Sequence, residues 1–67
     1  MSYKRKKVIQ ALNHFSFTFI REGANHTAFG RESKQVYLPR HNELDRGLVR
    51  AVVKQADLDW QEFKKRL

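Results

Sequence analysis

The chain has no cysteine, a single proline and only three glycines among its 67 residues. Without thiols, neither a disulfide nor a thiolate metal site can brace the fold. Pro39 and the glycines at 23, 30 and 47 are too sparse to make a linker, and there is no internal repeat or low-complexity tract. Residues 1–67 therefore read as one domain. No apolar run is long enough to span a bilayer, and no signal-peptide core is present. The expectation is a soluble, cytoplasmic protein with no membrane partner. Acid is also scarce: seven Asp and Glu face 14 Lys and Arg, a net charge of +7 with a pI near 10.3. That excess favours polyanions such as nucleic acid or an acidic protein, although basic residues also serve as plain solubilising surface.

What is present is enough for a core. Apolar residues make up 40% of the chain, including five Phe, two Tyr and one Trp, which argues against disorder. A core of this size supplies roughly 3–5 kcal/mol of net stability, so packing has to be tight. Residues 3–14 have the helical spacing Val8, Ile9, Leu12 and Phe15, with Ala11 beside them and Ser2 as N-cap. Lys4, Arg5, Lys6 and Lys7 put positive charge at the unfavourable end of that helix dipole. They read equally as a phosphate-contacting patch or a solvated face.

Residues 16–21 alternate as a half-buried strand with Phe17 and Phe19 inward. Residues 22–25 make a turn in which Gly23 is free to take positive φ. Residues 26–30 form a second strand with Phe29 inward, and residues 31–33 a second turn. Residues 34–38 form a third strand, with Val36 and Leu38 inward, and Pro39 ends it for want of an N–H. Short connections make this an antiparallel meander. Thr27 and Phe29 then share the buried face, and His26 and Ala28 point outward. Pairing about the second turn puts His26 across from Tyr37, with Pro39, Arg40 and His41 beside the turn at residues 23–26. Residues 46–56 form a second helix capped by Asp45, with Leu48, Val49, Val52, Val53 and Ala56 as its apolar stripe and Arg46, Arg50 and Lys54 as a basic ridge. Residues 60–67 begin a short third helix, where Asp59 and Glu62 form a capping box and Leu58 and Phe63 a hydrophobic staple. The order is α-β-β-β-α with a helical tail: an α+β fold, a three-stranded antiparallel sheet with helices on one face. That is the layout of a double-stranded-RNA-binding-like domain.

Two stretches sharpen this reading, Gly23-Ala24-Asn25-His26-Thr27 and Leu38-Pro39-Arg40-His41, together with Val53-Lys54-Gln55 in the second helix. In this order and spacing they resemble the HicA toxins, the RNases of HicA–HicB type II toxin–antitoxin pairs. The resemblance covers nearly the whole chain. It implies an mRNA interferase whose catalytic residue is the histidine of the Gly-x-x-His turn, here His26. It also implies a HicB-like antitoxin that covers the site, with the toxin itself monomeric inside a larger hetero-oligomer. The chain departs from the family at two places. Ala24 stands where Ser or Gly is usual, and Ser16 stands where a Gly often precedes the first strand.

Cleaving RNA without a metal uses the 2′-hydroxyl as internal nucleophile. It needs a base for that proton, a donor for the leaving 5′-oxygen, and positive charge on the phosphorane. Imidazole suits the first role near neutral pH, which makes His26 the candidate base. Arg21, Lys34 and Arg40 are the candidates for phosphate charge, Arg40 being the best placed by the strand pairing. The leaving-group acid is His41, water, or His26 acting as a shuttle. Tyr37 offers a base a stacking surface or is plain sheet packing. Three separated histidines and no Cys give no recognisable metal spacing, so neither metal nor cofactor is expected. Two other readings stand beside the nuclease. One is a binding module of the same fold that grips RNA without cutting it. The other is a basic protein that only neutralises an acidic partner. A lone strand histidine is, by itself, most often surface.

Overall fold

The computed structural model describes residues 1–67. The chain begins with a strand, β1 (Ser2–Lys4), where the sequence predicts the first turn of a helix. β1 pairs antiparallel with a second short strand, β5 (Glu43–Asp45), in the register Tyr3 to Leu44. The Ser2 hydroxyl donates to Glu43 Oε1 at 2.6 Å instead of capping a helix, and Lys4 Nζ lies 3.7 Å from Glu43 Oε2. The helix α1 (Arg5–His14) starts only after this ribbon, and its N-cap, Lys4, offers no side-chain acceptor. Residues 2–4 find backbone partners in β5, and the helix that follows still carries Arg5, Lys6 and Lys7 in its first turn, the unfavourable end of the dipole for cations.

α1 buries Val8, Ala11 and Leu12 and ends in a left-handed residue, Ser16, at φ 72°. Ser16 donates its N–H to Asn13 O at 3.0 Å, and Phe17 donates to Leu12 O at 2.9 Å. This is a Schellman closure with Phe17 folded back into the core, where it is fully buried. The cap uses residues 15–17, so the first strand of the meander, β2 (Thr18–Glu22), begins two residues later than the alternation implies.

Three strands form the main sheet in the order β2, β3 (His26–Arg31) and β4 (Lys34–Pro39). Thr27 faces Leu38 and Phe29 faces Val36 on the inner side, as the alternation requires. Two sequence expectations fail here. Phe19 opposes Phe29, edge to face with ring centroids 6.5 Å apart, yet it is 59% exposed. β2 is the edge strand and every residue in it is exposed, so its inner-facing side chain has no helix above it. The ladder also shifts between Phe19 and Arg21, leaving Ile20 as an extra residue that turns Arg21 to the outer side, opposite Ala28. The second failure is the pairing of His26, which lies across from Pro39, while Tyr37 lies across from Ala28. The β3–β4 turn is tighter than expected, with Arg31 and Lys34 still paired and Glu32 in the left-handed region at φ 55°. A slip of two residues keeps each side chain on its face, which is why the inner set survives.

Asp45 accepts from the Gly47 N–H at 2.9 Å and starts α2 (Arg46–Gln55), which buries Val49, Val52 and Val53. A second Schellman closure follows, with Asp57 at φ 61° and the Leu58 N–H donating to Val53 O at 3.1 Å. Asp59 accepts from the Glu62 N–H at 3.0 Å and caps α3 (Trp60–Lys64). Phe63 closes the core there, its ring 6.0 Å from Phe15 and 6.5 Å from Trp60. The core joins Val8 and Leu12 of α1, Phe29, Val36 and Leu38 of the sheet, and Val49, Val52 and Val53 of α2. The architecture is thus the expected α+β, α-β-β-β-α fold with a short C-terminal helix and an added two-stranded ribbon. No helix is long and apolar enough to cross a membrane.

Candidate active site

The hairpin joining β2 to β3 closes on backbone bonds. The Gly23 N–H donates to His26 O at 2.7 Å, and Glu22 pairs with Thr27. Gly23 does not use the positive φ expected of it. Its lack of a side chain matters for distance instead, since a Cβ would lie 3.0 Å from the His26 carbonyl oxygen. Glycine therefore lets the turn fold flat against the residue that opens β3. His26 is exposed, first in its strand, and on the sheet side that carries no helix.

Two shallow hollows flank His26. One, of about 320 Å³, is lined by Arg21, Ala28 and Tyr37 together with the turn. The other, of about 450 Å³, is lined by Pro39, Arg40 and His41 and the same turn residues, Ala24 and Asn25. The segment after β4 is tied to the turn by the Arg40 N–H, which donates to Asn25 O at 3.2 Å. Arg21, from β2, and Arg40 and His41, from the segment after β4, are thereby gathered around His26. Lys34 is not. It sits at the opposite end of β4, paired with Arg31, five positions from Pro39, which is about 17 Å at strand rise.

A chain of polar groups beneath the hairpin was not anticipated from sequence. Arg40 Nε lies 2.8 Å from Glu22 Oε2. Glu22 Oε2 accepts from Thr27 Oγ1 at 3.0 Å, and Thr27 Oγ1 accepts from Arg5 Nη2 at 2.5 Å. Arg5 Nε donates to Pro39 O at 3.1 Å, and the Arg5 N–H donates to Asn42 O at 2.9 Å. The first residue of α1 thus fastens both strands at the site. Thr27 is only 2% exposed, and a buried hydroxyl needs partners. That requirement, combined with its inward place in β3, is the one signal in the sequence from which such a network could have been found.

Arg40 meets Glu22 at Nε and its side chain stays half exposed, so its guanidinium can still reach a phosphate oxygen. The side chains are 53% and 40% exposed, so the pair orients Arg40 more than it stabilises the fold. The arrangement is an imidazole in water, a fixed guanidinium, a second imidazole and a second, unpaired guanidinium. Such a set can move a proton and neutralise a phosphate. No three His, Asp or Glu side chains are grouped closely enough to hold a metal ion.

A family model described as the HicA toxin of bacterial toxin–antitoxin systems matches residues 5–58. The match begins at the first residue of α1 and takes in the whole hairpin and both hollows; α3 falls outside it. No curated protein matches the sequence.

Proposed function

The chain belongs to the HicA toxin family, the toxins of bacterial toxin–antitoxin systems, and from that premise we propose that it is an endoribonuclease that cleaves mRNA with His26 as general base. The observation that carries this reading is the outward imidazole of His26 between two hollows, with Arg21 in one and Arg40 and His41 in the other. His26 takes the proton of the 2′-hydroxyl, whose oxygen attacks the adjacent phosphorus. The bond to the 5′-oxygen breaks, leaving a 2′,3′-cyclic phosphate on one fragment and a 5′-hydroxyl on the other. Arg40, held through its Nε, and Arg21 neutralise the charge that builds on the phosphorane. His41 is the side chain nearest to hand for protonating the leaving oxygen. Lys34, at the far end of the sheet, would meet a phosphate further along the strand.

A family toxin has a cognate antitoxin. We take that partner to be a HicB-like protein that presents acidic groups to the Arg40 hollow. The competing reading is a module of the same fold that binds RNA and does not cut it. The two separate on one variant. His26→Ala should retain RNA binding and lose cleavage by at least a hundredfold, within the range removal of a general base gives. Equal cleavage by wild type and variant would remove the enzyme from consideration.

A further inference from the structure

On the outer side of the sheet, Arg21, Ala28 and Tyr37 form one straight cross-strand row. The middle residue is small and the two flanking ones are long. Ala28 is 3% exposed, while Tyr37 is 46% exposed. Arg21 takes part in no ion pair, so it is free to swing. The Tyr37 hydroxyl donates to Gln35 Oε1 at 3.0 Å, which fixes the ring's outer end. The hollow over this row, about 320 Å³, reaches His26 two residues along β3, and its size is that of a small-ligand site.

We infer that this row is a nucleobase subsite: an unpaired base lies over Ala28 with the Tyr37 ring on one face and the Arg21 guanidinium on the other. An aromatic ring and a guanidinium plane are the two side-chain surfaces that stack on splayed-out bases of single-stranded RNA. A base inside a duplex has both faces covered by its neighbours, so the subsite selects single strands. The ion pair between Lys4 and Glu43, like the one between Arg40 and Glu22, lies off this face, so no carboxylate competes for Arg21. The bulge at Ile20 is what turns Arg21 to the side where Tyr37 stands. Because the subsite abuts His26, it holds the nucleotide next to the cleaved phosphate, and so rests on the nuclease reading for its meaning but not for its existence.

The test measures binding of a short single-stranded RNA series, carrying one abasic position moved stepwise along it, to the full-length His26→Ala protein. One abasic position should weaken binding about tenfold, the scale of one lost base stack. Tyr37→Ala should bind the intact RNA about tenfold more weakly and be indifferent to the abasic position. Tyr37→Phe, which keeps the ring, should behave as Tyr37 does. In the catalytic background, Tyr37→Ala should raise KM more than it lowers kcat. If the intact protein shows no position-dependent loss, or Tyr37→Ala retains it, the subsite is wrong even where RNA is cut. If the abasic pattern and its Tyr37 dependence appear in a protein that never cuts RNA, the subsite stands and the nuclease falls.

Discussion

Both long helices end on a left-handed residue that is not glycine, Ser16 at φ 72° and Asp57 at φ 61°. Replacing Ser16 by glycine should stabilise the protein. The left-handed region costs a residue with a Cβ about 1–2 kcal/mol. Glycine avoids that cost, but loses about 0.5–1 kcal/mol through the greater freedom of its unfolded chain. The net gain expected for Ser16→Gly is about 0.5–1 kcal/mol. Ser16 is exposed and its side chain makes no hydrogen bond, so nothing else is lost. In a domain this small, 1 kcal/mol corresponds to roughly 4–8 °C in melting midpoint. Asp tolerates this backbone better than most residues, so Asp57→Gly should gain less. The two closures lie on different helices, so the gains should add. Urea and thermal unfolding of the two single variants and the double variant would measure this. Ser16→Val is the opposing control, since a β-branched residue suits positive φ least, and it should fall below wild type. The order Gly above Ser above Val is the signature. If glycine at 16 lowers the midpoint, the Schellman geometry assigned to the end of α1 is refuted.

Thr27→Val, nearly isosteric, should cost about 1–2 kcal/mol, because it strips a buried hydroxyl from between Arg5 and Glu22; unfolding curves that superimpose on wild type would show that the network is decorative. Arg40→Glu should weaken both RNA binding and the antitoxin complex, the former with a shallower dependence on salt, because phosphate contacts release counterions; titration of each partner at several salt concentrations checks this, and unchanged affinity for both would free Arg40 of its role. The Glu43 carboxyl is held below its usual value first by the Ser2 hydroxyl and then by the Lys4 charge. A depressed folded-state value stabilises the ribbon above the ordinary carboxylate range, and that contribution disappears as pH falls through the lowered value. The protection of the residue 2–4 amides, measured against their intrinsic exchange rates at each pH, should therefore fall on acidification. Ser2→Ala should move the onset to higher pH, and an onset that ignores Ser2 would reassign the cause.

The inner face of the sheet could be read directly, because Thr27, Phe29, Val36 and Leu38 alternate without interruption and nothing in the fold contradicts them. Asp45 and Asp59 announced their helices for the same reason: a carboxylate before an apolar stripe has one local use. Other features depended on partners far along the chain. Ser2 looks like a helix cap until Glu43 is placed 2.6 Å from its hydroxyl. Phe19 looks like a core residue until β2 proves to be an edge without a helix over it. The His26 turn carried enough signal to pick out the imidazole and its cationic neighbours Arg21 and Arg40. It did not carry the pairing, since whether His26 meets Tyr37 or Pro39 is a two-residue difference in register, set where the chain reverses at Glu32 and Ser33. Nor did it reveal Glu22 and Arg5, whose part at the site exists only once α1 is docked.

That docking has a consequence for how the chain is made. Arg5 precedes Asn42 by 37 residues, yet Asn42 is its backbone partner, and the strand before it waits for residues 43–45. Residues 42–45 must therefore have left the ribosome before residues 2–5 can seat themselves against the hairpin. A product that ends after His26 but before Asn42 contains the imidazole but none of the backbone partners that seat residues 2–5, so its hairpin lacks the anchor that α1 supplies.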